Sequence, residues 1–264
     1  MAISLSSLNR LSVPKPPRIV IYGPHGIGKN SFAGSAPRPV LINIEDGHPT
    51  GQPIDAFPKA EGFQDVMDAM AALYAEKHDF ETLVVDSLDW LEPLVWAETV
   101  RRNNVANPSK PWASIEDAGY GRGFVATLDV WREYLDAINA LRNDKGMAVI
   151  QTAHAEVKRF DSPETEPFDR YQIKLHKLAS ALVQEHADMV LFANFKTSVT
   201  RTDVGMKKVV RGVGAGTRAL YTEERPAFLA KNRHNLPSEL PLSWEALASA
   251  MAASSAAART SEAA

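Results

Sequence analysis

The run Gly23-Pro24-His25-Gly26-Ile27-Gly28-Lys29-Asn30 constrains this chain more than any other. It follows the β-branched stretch Arg18 to Tyr22 and precedes a helical segment at Ser31 to Gly34, the strand, loop and helix setting that G-x-x-x-x-G-K requires. Glycines at 23, 26 and 28 let the backbone curl so that successive N–H groups point inward, and the helix start adds a positive dipole end. Lys29 then supplies a point charge to β- and γ-phosphates, so residues 23 to 31 read as a cradle for ATP. The competing reading is a Gly-rich turn that merely starts a helix. Strand, glycines and lysine in one register favour the phosphate loop.

One position departs from the pattern. Asn30 stands where Ser or Thr normally gives a hydroxyl oxygen to Mg²⁺, and the hydroxyl moves one step on to Ser31. An amide oxygen also suits a hard cation, so Asn30 and the strand-terminal Asp86 are the candidate metal residues, with a helix N-cap as the alternative role for Asp86. Glu45 and Asp46 follow the second β-branched run, which puts a carboxylate within reach of a γ-phosphate and its attacking water; a solvated turn is the alternative. Gln151-Thr152-Ala153-His154 closes another strand, so a polar side chain is expected at its tip beside the phosphates.

Around these motifs, β-branched runs alternate with helical patterns, the signature of a parallel sheet covered by helices. Strands are expected at Arg18 to Tyr22, Pro39 to Ile44, Glu81 to Asp86, Met147 to Thr152 and Asp188 to Phe195. Helices are expected at Phe63 to Ala75, Leu88 to Arg102, Phe124 to Arg142 and Leu178 to His186. Four further strands follow at Lys196 to Arg201, Lys207 to Gly212, Arg218 to Thr222 and Ala227 to Asn232, so the fold class is α/β with a C-terminal β extension. The organisation expected is a loose arm at 1–16, a domain at 17–245 and an Ala/Ser-rich, disordered tail at 246–264.

The 264 residues are 45% hydrophobic and 23% charged, which excludes a mainly disordered or fibrous chain. The absence of Cys excludes disulfides and cysteine nucleophiles and suits a reducing compartment such as the cytoplasm. No apolar run approaches the roughly 20 residues that cross a bilayer. The net charge of −3 hides an asymmetry: residues 196–233 carry 9 Lys and Arg against 3 Asp and Glu, while residues 1–195 carry 19 against 26. Phosphate contacts depend on such local cations, so Lys207, Lys208 and Arg211 mark a candidate nucleic-acid hairpin.

Taken in order, the phosphate loop, Leu41 to Asp46, Leu83 to Leu88 and Thr152-Ala153-His154 resemble the RecA-like ATPases. More narrowly, residues 17 to 245, with the idiosyncratic run Arg225 to Pro237, are similar to phage-encoded RecA-like nucleotide-binding proteins, some of which anneal single strands in recombination. The resemblance implies that Glu45 orients the attacking water and that His154, standing where Gln is common, senses the γ-phosphate. It makes 156–174 a DNA loop in which Lys158, Arg159, Arg170 and Lys174 stand beside aromatics. It also makes Lys231 and Arg233 a finger reaching a neighbouring subunit's γ-phosphate; the alternative is a solvated basic edge. Implied partners are single-stranded DNA, further copies in a ring or filament, and a single-strand DNA-binding protein, in a host cytoplasm. Two rivals remain: a nucleotide-dependent switch or loader with little hydrolysis because Asn30 weakens the metal site, and a P-loop kinase.

Overall fold

The computed structural model of the chain describes residue 4 and residues 15–47, 49, 51–162, 165–204 and 207–262, with the side chains of 197–215 and 258–262 outside that description. The arm expected at 1–16 therefore lies almost wholly outside it. Among the described residues, ten strands form one sheet: β1 (Arg18–Gly23), β2 (Pro39–Asn43), β3 (Asp55–Ala56), β4 (Thr82–Asp86), β5 (Ala148–Phe160), β6 (Phe168–Ile173), β7 (Met189–Val204), β8 (Lys207–Tyr221), β9 (Lys231–Asn232) and β10 (Glu239–Pro241). The α-helices among the described residues are α1 (Lys29–Gly34), α2 (Phe63–Ala75), α3 (Leu88–Ala106), α4 (Arg122–Asp144), α5 (Lys177–His186) and α6 (Trp244–Glu262).

Strand order is β10-β8-β7-β1-β5-β4-β2-β3, with β6 added to β5 and β9 to β7. The central pairings are parallel, and β8, β9 and β10 join antiparallel. Side chains alternate across each strand, and both faces are buried. Val20, Tyr22, Val40, Ile42, Leu83 and Val85 face a core shared with α2 to α5, including Trp131, Tyr134 and Ile138. Ile19, Ile21, Leu41, Val84 and Ile150 face the other way, onto Phe32 of α1 and Trp244 and Leu247 of α6.

The extents of several expected strands change. The strand expected to stop at Thr152 runs on to Phe160 and turns back as β6, so 156–174 is a hairpin and not a loop. Arg159 pairs with Asp169 and Phe160 with Phe168 in that register, cross-strand partners that a stretch read one residue at a time does not display. Three of the expected C-terminal strands merge into the long β7 and β8, and of Ala227 to Asn232 only Lys231–Asn232 is strand. β5 and β4 lie between the first and second strands. The Ala/Ser-rich residues from 246 lie in α6, which runs from Trp244 to Glu262 with Leu247 fully buried; Ala is the strongest helix former, and an apolar stripe anchors the helix.

Candidate nucleotide site

Register decides which side chains meet. Gly23 lies opposite His154, Val85 opposite Gln151 and Asn43 opposite Asp86, so the phosphate loop, Glu45, Asp86 and His154 emerge together at the carboxyl edge of the sheet. They line a cleft of about 360 Å³ together with His25, Gly26, Gly28, Asn30, Ser31 and Arg218. That is within the range of small-molecule sites.

The loop's glycines are dictated locally. A Cβ at Gly23 would sit 2.2 Å from the carbonyl oxygen of Ala193, so β1 approaches β7 only without a side chain there. Gly28 has φ +110°, and a Cβ on it would lie 2.9 Å from Nη1 of Arg218. Lys29, only 6% exposed, donates from Nζ to the carbonyl oxygens of Gly23 and Pro24 at 3.2 Å each. Burial lowers its pKa, against the pull of Asp86, Asp89 and Glu45.

Asp86 is also buried. Its carboxylate accepts a short hydrogen bond from the Thr152 hydroxyl and one of 2.7 Å from Nδ2 of Asn30. Burial holds the Asp86 carboxyl above the usual range; Glu45 adds to the rise, while Thr152, Asn30 and Lys29 oppose it. Asn30 therefore occupies the Ser/Thr position as a donor to the strand-terminal carboxylate. Asp86 also precedes α3, but it is Ser87 that stands at the N-cap. The Ser87 hydroxyl donates to Oε2 of Glu45 at 2.9 Å, which fixes that carboxylate at the cleft wall.

His154 is held by a residue that the sequence did not single out. Asp89, in the first turn of α3, accepts from the His154 backbone N–H at 3.0 Å and faces its Nδ1 at 2.9 Å. Burial pushes the Asp89 carboxyl upward, but its contacts with His154 outweigh this and hold it below the usual range. The His25 ring lies against that of His154, centroids 4.1 Å apart. The sequence offered a weak sign of Asp89, an acid in a helix's first turn two residues after the N-cap.

Residues 15–234 match a protein family described as AAA domain, most of the chain's length. The chain belongs to that family. As an AAA domain protein with this loop, it is a nucleotide-binding P-loop protein of α/β fold. No curated protein matches the sequence. A solved structure, "Crystal structure of the RadB recombinase", aligns over 88% of this chain and 90% of that one, with 13% identity and a TM-score of 0.48.

Not every expected site residue comes to the AAA domain's cleft. Lys231, on β9, pairs with Val190 near the start of β7, the end of that strand away from the loop, and its Nζ donates to the carbonyl oxygens of Gln184, Glu185 and Ala187 at 2.8, 3.1 and 2.8 Å. It closes the carboxyl end of α5, where a cation meets the negative dipole end. Arg233 pairs with Asp188 at 3.4 Å and donates to the Glu185 carbonyl. Arg170 is corrected as a nucleic-acid contact: it is 7% exposed, ion-paired to Glu224 and bonded to the Phe228 carbonyl, because β6 turns it inward. Lys158, Arg159 and Lys174 are exposed, with Lys158 on Glu156 and Arg159 near Asp161. Lys207, Lys208 and Arg211 lie on the described backbone of β8, but their side chains fall outside the described residues.

Among the described residues, no cluster of His, Asp or Glu is arranged to hold a metal unaided. Mg²⁺ takes one or two protein oxygens and completes its shell with phosphate and water. The cleft's protein oxygens, from Asp86, Glu45 and the Asn30 amide, fit that modest requirement.

Proposed function

We propose that this protein is a Mg²⁺-dependent RecA-like ATPase that binds single-stranded DNA, assembles with copies of itself in the cytoplasm, and promotes annealing or strand exchange. The observation that carries the ATP reading is the cleft itself, which gathers Lys29, Asp86, Glu45 and His154 around the phosphate loop. Lys29 holds the β- and γ-phosphates in place of the loop carbonyls it meets here. Asp86, kept in position by Thr152 and Asn30, would hold the water shell of the metal, and bound Mg²⁺ would supply charge neutralisation to those phosphates. Glu45, oriented by Ser87, accepts a hydrogen bond from the attacking water. His154, oriented by Asp89, contacts the γ-phosphate.

Two features support DNA binding: the exposed Lys158, Arg159 and Lys174 on and beside the β5–β6 hairpin, and the cationic sequence of the β7–β8 hairpin around Lys207, Lys208 and Arg211. A single-strand DNA-binding protein is the natural partner of such an activity, and a phage recombination setting follows from the sequence resemblance. The switch or loader reading draws on one observation, the Asn30 amide occupied by Asp86, which slows hydrolysis without preventing binding.

ATP turnover with and without single-stranded DNA, with Lys29→Ala as control, separates these readings. Stimulation by DNA that the variant lacks is the result expected. Nucleotide binding with flat, low turnover would establish the switch, and phosphate transfer to a small acceptor a kinase.

A further inference from the structure

Arg218 was not marked by any sequence motif, yet among the described residues it and Lys29 are the Lys and Arg that line the cleft. It lies on β8, opposite Phe195 of β7, and its guanidinium carbon stands 6.0 Å from the Phe195 ring centroid. Its Nη1 hangs over Gly28 of the phosphate loop. Among the described residues, no carboxylate pairs with it, although Glu239, opposite Tyr221 of the same strand, holds Lys196. An unpaired guanidinium over a phosphate cradle matches the bidentate geometry of a phosphate group.

What Arg218 is attached to matters equally. The register shifts between Phe195 and Thr197, at the root of the hairpin, and pairing then continues from Thr197 with Gly214 out to Val204 with Lys207. Such an irregularity re-aims the strands beyond it. At about 3.4 Å per residue, the arm beyond the bulge is on the order of 25 Å long. Arg218 thus joins the nucleotide cleft to the root of the arm whose sequence carries Lys207, Lys208 and Arg211.

We propose that Arg218 is a positioning contact for the terminal phosphate of the chain's own nucleotide, and that it couples nucleotide state to the β7–β8 arm. This rests on the cleft binding a nucleotide. A triphosphate reaches the guanidinium and draws the root of the arm toward the loop; a diphosphate does not reach it. The root of the arm is therefore set differently in the two states.

The test measures equilibrium binding of a non-hydrolysable ATP analogue and of ADP to wild type, Arg218→Ala, Arg218→Lys and Lys29→Ala. Amide hydrogen exchange across 197–214 is followed in each state. Arg218→Ala is expected to bind the analogue roughly tenfold to hundredfold more weakly, with ADP affinity unchanged, because one contact to a charged group is lost. Arg218→Lys restores part of the difference. In wild type, exchange in the arm should differ between analogue and ADP, and that difference should vanish in Arg218→Ala. Equal loss for both nucleotides, or an arm response that survives the substitution, overturns the inference. A wild type that binds neither nucleotide, or binds as Lys29→Ala does, overturns the nucleotide reading instead.

Discussion

Asn30 is the position where this cleft departs furthest from the usual phosphate loop, and Asn30→Ala tests what the departure does. The side chain donates to Asp86 at 2.7 Å and, with the Thr152 hydroxyl, favours the ionised form of a buried carboxylate. A hydrogen bond to a charged group contributes about 1.5–3 kcal/mol. Its loss moves the Asp86 pKa further upward, the direction in which burial already pushes it. Metal-dependent nucleotide binding needs the ionised carboxylate, so that energy appears as a roughly tenfold to hundredfold weaker affinity wherever the variant's Asp86 is protonated. The deficit must shrink as pH rises, since alkaline conditions ionise Asp86 without help. Asn30→Thr retains a hydroxyl donor and should stay close to wild type. Fluorescent-nucleotide binding with and without Mg²⁺, across mildly acid to mildly alkaline pH, reads all of this. Affinity unchanged in Asn30→Ala, or a deficit that grows with pH, would refute the assignment.

Three further outcomes are expected. Asp188, buried and paired with Arg18 at 2.9 Å and Arg142 at 3.1 Å, has its carboxyl held down to about 2; its contribution is present above the ordinary carboxylate range and is lost as pH falls toward about 2. Asp188→Asn should therefore lose about 2 kcal/mol or more in denaturant unfolding at neutral pH, a gap that closes in acid, and an unchanged midpoint counts against it. Glu92 accepts from the His176 N–H with both oxygens, and burial raises its carboxyl to about 7, so the folded state binds the extra proton and stability falls as pH rises from about 4.5 to about 7. Glu92→Gln should flatten that slope, and an identical profile would show that Glu92 does not set it. Lys231→Met should lower the thermal midpoint by freeing the α5 carbonyls while the folded protein keeps its nucleotide turnover; turnover lost with stability intact would return Lys231 to a neighbour's active site.

What the sequence disclosed was local. The loop, its lysine and the carboxylate ending Leu83-Val84-Val85 are read within a few residues of one another, and β-branched runs marked every central parallel strand. Sheet order was not legible, because a β-branched run does not say which strand it will lie beside; Glu45 reaches the cleft across two intervening strands. Arg218 was hidden for the same reason, since its contact with Gly28 joins residues far apart in the chain. Arg170 shows the reverse: a cation in a polar stretch reads as exposed until a pairing register turns it onto Glu224.

Titration calorimetry of Mg²⁺·ATP into wild type and Lys29→Ala addresses the nucleotide claim most directly. Lys29 is the cleft's buried cation, already coordinated by the loop oxygens a phosphate would displace. One nucleotide per chain for wild type, with affinity at least about tenfold weaker in the variant, is the expected result. Identical isotherms for the two proteins, or no heat from either, would contradict it.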